Sequence, residues 1–165
     1  MTIKNRYLSQ NIVLIAGGSG GHVHPAISVY EQFKDAGANV SFFTDSRAEE
    51  FLNEIDTKTV YRINSSTPFR RSLISKLFFP FLVILGVIQS LVILSKISPK
   101  IVIAFGGYTA FPSCIAARLL GLPIIIHEQN IVMGRANRVI ANLASVIALS
   151  FEETHKVSHK YKKKI

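Results

Sequence analysis

Ile12-Val13-Leu14-Ile15-Ala16 runs without a break into Gly17-Gly18-Ser19-Gly20-Gly21-His22, and Ile101-Val102-Ile103-Ala104-Phe105 runs in the same way into Gly106-Gly107-Tyr108. Each is a short apolar strand followed by a glycine turn, with a helix-length segment beyond it. Glycine tolerates positive φ and lets a ligand approach the backbone, and the helix that follows points unpaired N–H groups and its positive dipole end at the turn. An anion, above all a phosphate or diphosphate, is the guest that such a turn suits.

Outward from these two loops the chain keeps one rhythm. Apolar runs near 12–16, 39–44, 59–64, 101–105, 123–127 and 146–150 read as strands, and the segments near 25–36, 47–54, 72–97, 110–120 and 134–144 as helices. Strands rich in Val, Ile and Phe that lack inside-outside alternation and alternate with helices predict an α/β, Rossmann-like parallel sheet of about six strands with helices on both faces. In the order 3-2-1-4-5 the first and fourth strands are neighbours where the winding reverses, so both glycine loops open on one crevice. Pro25 is expected in a first helical turn, Gly37 and Gly121 just past helix ends, and Ser98-Pro99 as the break before the fourth strand.

The 165 residues suit one domain, spanning 1–155, large enough to bury about two-thirds of its unfolded surface. Residues 156–165 close on Lys162-Lys163-Lys164 and read as a frayed basic linker. A single cysteine, Cys114, excludes an internal disulfide and is expected to pack as a small apolar group. The apolar run near the N-terminus is too short for a signal peptide, which points to the cytoplasm.

Nineteen Lys and Arg against ten Asp and Glu give a formal charge of +9. No acid occurs between Asp56 and Glu128, whereas Lys58, Arg62, Arg70, Arg71, Lys76, Lys96, Lys100 and Arg118 all fall there. The most apolar stretch of the chain, Leu77 to Ser95, lies inside that basic region. Its length raises a membrane span, but its flanking strands belong to one sheet and a single crossing would separate them. The alternatives are a core helix and an interfacial one. Phe78, Phe79 and Phe81 beside Arg70, Arg71 and Lys76 favour dipping of the N-terminal end into an anionic bilayer surface, with the back half as core. Nucleic acid is not expected, because aromatics do not alternate with the basic residues.

The first loop lacks the last glycine of a dinucleotide fingerprint, Val23 standing there, and lacks the Gly-Lys-Ser/Thr of a P-loop, so no nucleotide cofactor is expected from it. It offers backbone N–H groups, the Ser19 hydroxyl and the His22 imidazole, a set able to polarise a hydroxyl beside a diphosphate. His22 and His24 have no carboxylate or thiol close in sequence to complete a metal site, and no metal is expected. His127-Glu128-Gln129-Asn130 ends the fifth strand, with Gly134, Asn137 and Arg138 following. Polar residues at that edge bind one another or a ligand: Glu128 reads as a structural acid paired with Arg138 or with loop N–H groups, and Asn130 as a sugar ligand.

Gly17 to Pro25, Gly106-Gly107-Tyr108, His127 to Asn130 and Gly134-x-x-Asn137-Arg138, in this order, resemble the N-terminal half of the MurG family of N-acetylglucosaminyltransferases. The resemblance spans about residues 12–151. It implies the acceptor half of a two-domain, metal-independent GT-B enzyme, peripheral on the cytoplasmic face of the bacterial inner membrane. Such an enzyme moves N-acetylglucosamine from UDP-N-acetylglucosamine to undecaprenyl-diphospho-N-acetylmuramoyl-pentapeptide, converting lipid I to lipid II. By similarity Ser19, Gly20, Gly21 and Asn130 touch the donor; Gly17, Gly18, Gly106, Gly107 and Tyr108 hold the acceptor diphosphate; His22 assists deprotonation of the acceptor hydroxyl; Glu128 and Asn137 shape the site.

Ser19 stands where the family has Thr, and Phe111 where it favours small residues. The C-terminal domain that grips the uridine in this family has no counterpart in this sequence, so the chain alone is expected not to turn over. The alternatives are a non-catalytic lipid-diphosphate or membrane-binding module, one half of a split glycosyltransferase, and a different GT-B enzyme with a soluble acceptor.

Overall fold

The computed structural model describes residues 9–53, 55–66 and 73–165, with backbone alone at 49 and 73–77. Six parallel strands, β1 (Asn11–Ala16), β2 (Asn39–Thr44), β3 (Val60–Arg62), β4 (Ile101–Gly106), β5 (Ile124–Glu128) and β6 (Val146–Leu149), form one sheet in the order β3-β2-β1-β4-β5-β6. The expected winding is therefore present, with β1 and β4 adjacent at the reversal. Their register shifts between Ile15 and Ala16, which brings Ala16 opposite Gly106 at the start of both glycine loops.

Consecutive residues of the central strands feed two separate cores. Val13, Ile15, Val102, Ala104, Ile124 and Ile126 pack under α2 (Leu73–Ile97), α3 (Ala110–Leu119) and α4 (Arg135–Ile140). Ile12, Leu14, Phe42, Ile103 and Phe105 pack under α1 (Gly20–Asp35) and the segment carrying Leu52 and Ile55. Burial on both faces accounts for strands without alternation. Cys114 lies in the first core, and burial pushes its thiol up to about 12.

Helix ends follow their glycines. After α1 the Ala38 N–H donates to the Phe33 carbonyl and the Gly37 N–H to that of Lys34, with Gly37 at φ 85°. Gly121 closes α3 with the same pair of bonds. This is the Schellman arrangement, and it needs the left-handed residue that glycine supplies.

Several boundaries differ from expectation. Helix α1 begins at Gly20, so Pro25 lies inside it and not in its first turn. Only a 3-10 turn at Glu49–Phe51 replaces the helix expected over 47–54, because the Asp45 carboxylate accepts from the Arg47 N–H and its carbonyl from that of Ala48, closing a turn there. The basic end does not fray in this structure. Tyr161 is buried and donates to Asn142 Oδ1 at 2.9 Å, and Lys164 Nζ donates to the carbonyls of Ala141, Asn142 and Ala144.

Helix α2 is the other departure. Phe78–Ile97 is long and apolar enough to cross a membrane by length and composition, yet β3 and β4 on either side of it lie in the same sheet. Gly86, Ser90 and Leu94 are buried, with Ser90 Oγ 3.1 Å from Ser113 Oγ of α3. The opposite side exposes Phe78, Phe81, Ile84, Leu85, Ile88 and Val92. The back half, expected to be plain core, is therefore half in solvent, with Ile88 54% and Val92 50% exposed. The spacing 78, 81, 85, 88, 92 forms one stripe along the helix.

Candidate functional site

The two glycine loops meet back to back at the carboxyl edge of the sheet. Gly106 and Gly107 have φ of 115° and 82°, and a methyl group on Gly107 would strike the Gly17 carbonyl oxygen. Behind them, a methyl on Gly17 would press on Thr109 and on Asp45. Asp45 is buried, accepts from Thr109 Oγ1 at 2.9 Å and is paired with Arg47 at 2.6 Å. Burial pushes its carboxyl up, but the bonds and charge of Arg47 and the Thr109 hydroxyl outweigh that, and it sits below its ordinary value. Arg47 also lies over the Tyr108 ring, 5.7 Å from its centre.

A Gly107→Ala substitution combines a left-handed φ with a backbone collision. It is expected to cost about 2 kcal/mol of stability and to part the two loops, which a urea-unfolding series on the two proteins measures.

A cavity of about 240 Å³ lies between the second loop and α4, lined by His22, Gly106, Gly107, Tyr108, Gly134, Arg135, Ala136 and Asn137. The structure thus gathers His22, the second glycine loop and Asn137. Gly17 is packed behind this space and Gly18 lies beside Arg47, so neither lines it. Ser19, Gly20, Gly21 and Asn130 also lie outside its lining. Ser19 precedes α1 without capping it through its hydroxyl; its carbonyl accepts from the His22 and Val23 N–H groups, so the Gly20 and Gly21 N–H groups are the ones its side chain leaves uncapped.

Glu128 organises the floor. It is fully buried; Oε1 accepts from the Asn130 N–H and Nδ2, each at 3.0 Å, and Oε2 accepts from the Gly134 N–H at 2.8 Å and Asn137 Nδ2 at 2.9 Å. Loop N–H groups and Asn137 fill the role for which Arg138 was the other choice. Asn137 Oδ1 is buried without a partner among the described residues, and the site of a methyl on Gly106 would lie 3.4 Å from it and 2.9 Å from His22 Nδ1. An acceptor oxygen held this way suits an N–H or O–H donor on a ligand.

His22 meets Gln129 across the crevice, Nδ1 to Nε2 at 2.6 Å, while Gln129 Oε1 is buried without a partner among the described residues. Burial lowers the imidazole pKa below 6.5 by more than the Glu128 charge and a bond to the Phe105 backbone raise it. The ring is then neutral near pH 7. A folded-state pKa below the unfolded one contributes stability above the ordinary value that is lost as pH falls through the folded value. Wild type is therefore expected to lose stability between about pH 7 and pH 5 more steeply than a His22→Gln variant, as read by urea midpoints across that range. His24 faces elsewhere, edge-on to Phe51 at 5.4 Å.

Asp45, Arg47, Thr109 and Arg135 escaped the sequence reading, and Gln129 was flagged only as one of the polar residues that end β5. Asp45 had a signal: an acid at the carboxyl end of a strand beside the ligand edge. Of the basic cluster expected on a membrane face, Arg70 and Arg71 lie outside the described residues and Lys76 is described by backbone only. Phe78 and Phe81 are exposed, and Phe79 is half-buried.

The glycosyltransferase family 28 N-terminal domain matches residues 12–149, and the chain belongs to that family. The UDP-N-acetylglucosamine--N-acetylmuramyl-(pentapeptide) pyrophosphoryl-undecaprenol N-acetylglucosamine transferase of Wolbachia pipientis wMel is 40% identical over 144 residues, 87% of this chain and 40% of that protein. The enzyme of the same name from Francisella tularensis subsp. tularensis (strain SCHU S4 / Schu 4) is 36% identical over 152 residues, 92% of this chain and 40% of that protein. The chain thus spans about 40% of the length of these curated relatives. Among solved structures, Acinetobacter baumannii MurG superposes with a TM-score of 0.75 at 29% identity, over 90% of this chain and 44% of that one. A Neisseria meningitidis UDP-GlcNAc 2-epimerase, at TM-score 0.65 and 16% identity over 88% of this chain and 42% of that one, shares the fold alone. The sheet and its helices are those of the N-terminal half of a GT-B glycosyltransferase.

Proposed function

We propose that this chain supplies the acceptor and membrane half of a transferase that moves N-acetylglucosamine from UDP-N-acetylglucosamine to undecaprenyl-diphospho-N-acetylmuramoyl-pentapeptide. The observation that carries the reading is the cavity joining a glycine loop, a neutral histidine and an unpartnered Asn137 oxygen, set beside a helix with an exposed apolar stripe. Amide hydrogens of Gly106 and Gly107 face the acceptor diphosphate, and Asn137 Oδ1 accepts from the acceptor sugar. His22 takes the proton of the attacking hydroxyl as its oxygen bonds to the anomeric carbon; the bond from that carbon to the diphosphate breaks, and UDP leaves. This role needs the Gln129 amide to present Oε1 to Nδ1–H, which frees Nε2 and satisfies the buried oxygen.

The open N–H groups at the start of α1, with Ser19 and Asn130, are assigned to the donor, whose uridine falls to a second domain. No cofactor or metal takes part in this scheme. The α2 stripe docks on the cytoplasmic leaflet, aided by the basic residues that precede the helix in sequence.

Mixing the chain with a matching C-terminal domain should restore transfer from labelled UDP-N-acetylglucosamine to the lipid acceptor. Binding of the acceptor without transfer in that mixture would favour a non-catalytic module instead. Flotation with anionic but not neutral liposomes tests the membrane face separately.

A further inference from the structure

A second crevice, about 140 Å³, adjoins the glycine cavity, with Phe79 of α2, Phe111 of α3 and Ala136 and Val139 of α4 on its walls. Tyr108, Arg135 and Ala136 line both spaces, so the glycine cavity and the apolar crevice adjoin across these three residues. On its far side the crevice reaches Phe79, whose neighbours Phe78 and Phe81 stand on the exposed face of α2. The lining therefore changes in order across the two adjoining spaces: glycine backbone, then a guanidinium and a phenol, then aromatic and branched aliphatic surface.

A ligand with an anionic head and an apolar tail matches that course, and a sugar or peptide does not match its outer part. Resting on the acceptor reading above, we propose that the crevice seats the first isoprenoid units of the acceptor's prenyl chain. The protein then reads the chain where it joins the diphosphate, and the bilayer holds the remainder. Arg135 stands at the junction, where the second phosphate meets the first carbons. Phe111, which departs from the small residues of the family, forms part of the seat and does not obstruct the glycine cavity, whose lining excludes it. Apolar surface kept open in water is unfavourable unless a ligand covers it, and a short methyl-branched chain fits a space of this size.

The test is calorimetric titration of the whole chain, without detergent or lipid, using inorganic diphosphate, dimethylallyl diphosphate and geranyl diphosphate below its aggregation concentration. Affinity should rise in that order, with geranyl diphosphate roughly tenfold or more tighter than inorganic diphosphate. Val139→Trp, at an exposed rim position, fills the crevice. It should bring geranyl diphosphate down to the affinity of inorganic diphosphate and leave the latter unchanged. If that variant does not fold, Phe79→Ala should give a several-fold loss for the geranyl ligand alone.

Equal affinities for all three diphosphates would overturn the inference and leave the glycine cavity standing as an anion site. Failure of every diphosphate to bind would overturn the acceptor reading, and this inference with it.

Discussion

His22→Ala, introduced into a transferase completed by a second domain, is expected to lower kcat by roughly 10²–10⁴-fold, the range that a positioned general base supplies. The acceptor's KM should change much less, because the second glycine loop and Asn137 remain to hold it. The wild-type pH–rate profile should fall on the acid side below 6.5, since burial depresses the imidazole and the neutral ring is the active form. In the alanine variant that acid limb should disappear. A Gln129→Ala variant gives a partial loss and moves the limb, because Gln129 touches the ring and not the substrate; a purely structural role would leave the limb in place. Near-normal turnover in His22→Ala would remove the histidine from the mechanism.

Glu128→Ala is the second large effect, and it falls on the fold. Four hydrogen bonds converge on one fully buried carboxylate, two from Asn130, one from Gly134 and one from Asn137. Truncation leaves those donors without acceptors in a space that water enters only by loosening the loop after β5. The expected cost is about 3–5 kcal/mol, comparable to breaking a buried charged pair. Glu128→Gln should cost less, since an amide oxygen still accepts from Asn130 while its NH₂ faces the N–H groups of Gly134 and Asn137. Denaturant unfolding orders the three proteins. Loss of Asn137 alignment should also weaken whatever ligand the glycine cavity binds, beyond the stability change.

The sheet was legible because its strands are buried on both faces, so Ile12 to Ala16 and Ile101 to Phe105 appear as unbroken apolar runs next to glycine. The same logic flagged His127 to Asn130: a cluster of polar residues after such a run must find partners, and Glu128 does. What escaped depends on contacts between distant parts of the chain. His22 and Gln129 are 107 positions apart, and nothing local to either announces the other. Asp45 and Thr109 are 64 apart and meet only because β2 and β4 flank β1 and bring the loops that follow them to one edge.

The helix expected over 47–54 failed for a local reason, since Asp45 diverts the chain into a turn before helical bonds can start. At the end of the chain, composition misled. A run of lysines reads as solvated, but Lys164 reaches three carbonyls left open after α4 and Tyr161 supplies the apolar anchor. In α2 the error came from treating apolar character as burial. Half of its circumference is exposed, and its contact with α3 runs through the small residues Gly86 and Ser90.

That seam acts as a gauge. Gly86 sits against the Asn64 carbonyl and Pro112, Ser90 meets Ser113, and Gln89 holds the Arg62 carbonyl and Asn64. The long helix therefore cannot roll or slide on the body of the protein without breaking polar contacts that fit one alignment. Under the docking proposed above, with the greasy side on a lipid leaflet, that alignment sets the height and tilt of everything else. The mouth beside Tyr108 then opens at one level above the acyl chains, and a headgroup tethered to that leaflet arrives already at the right altitude.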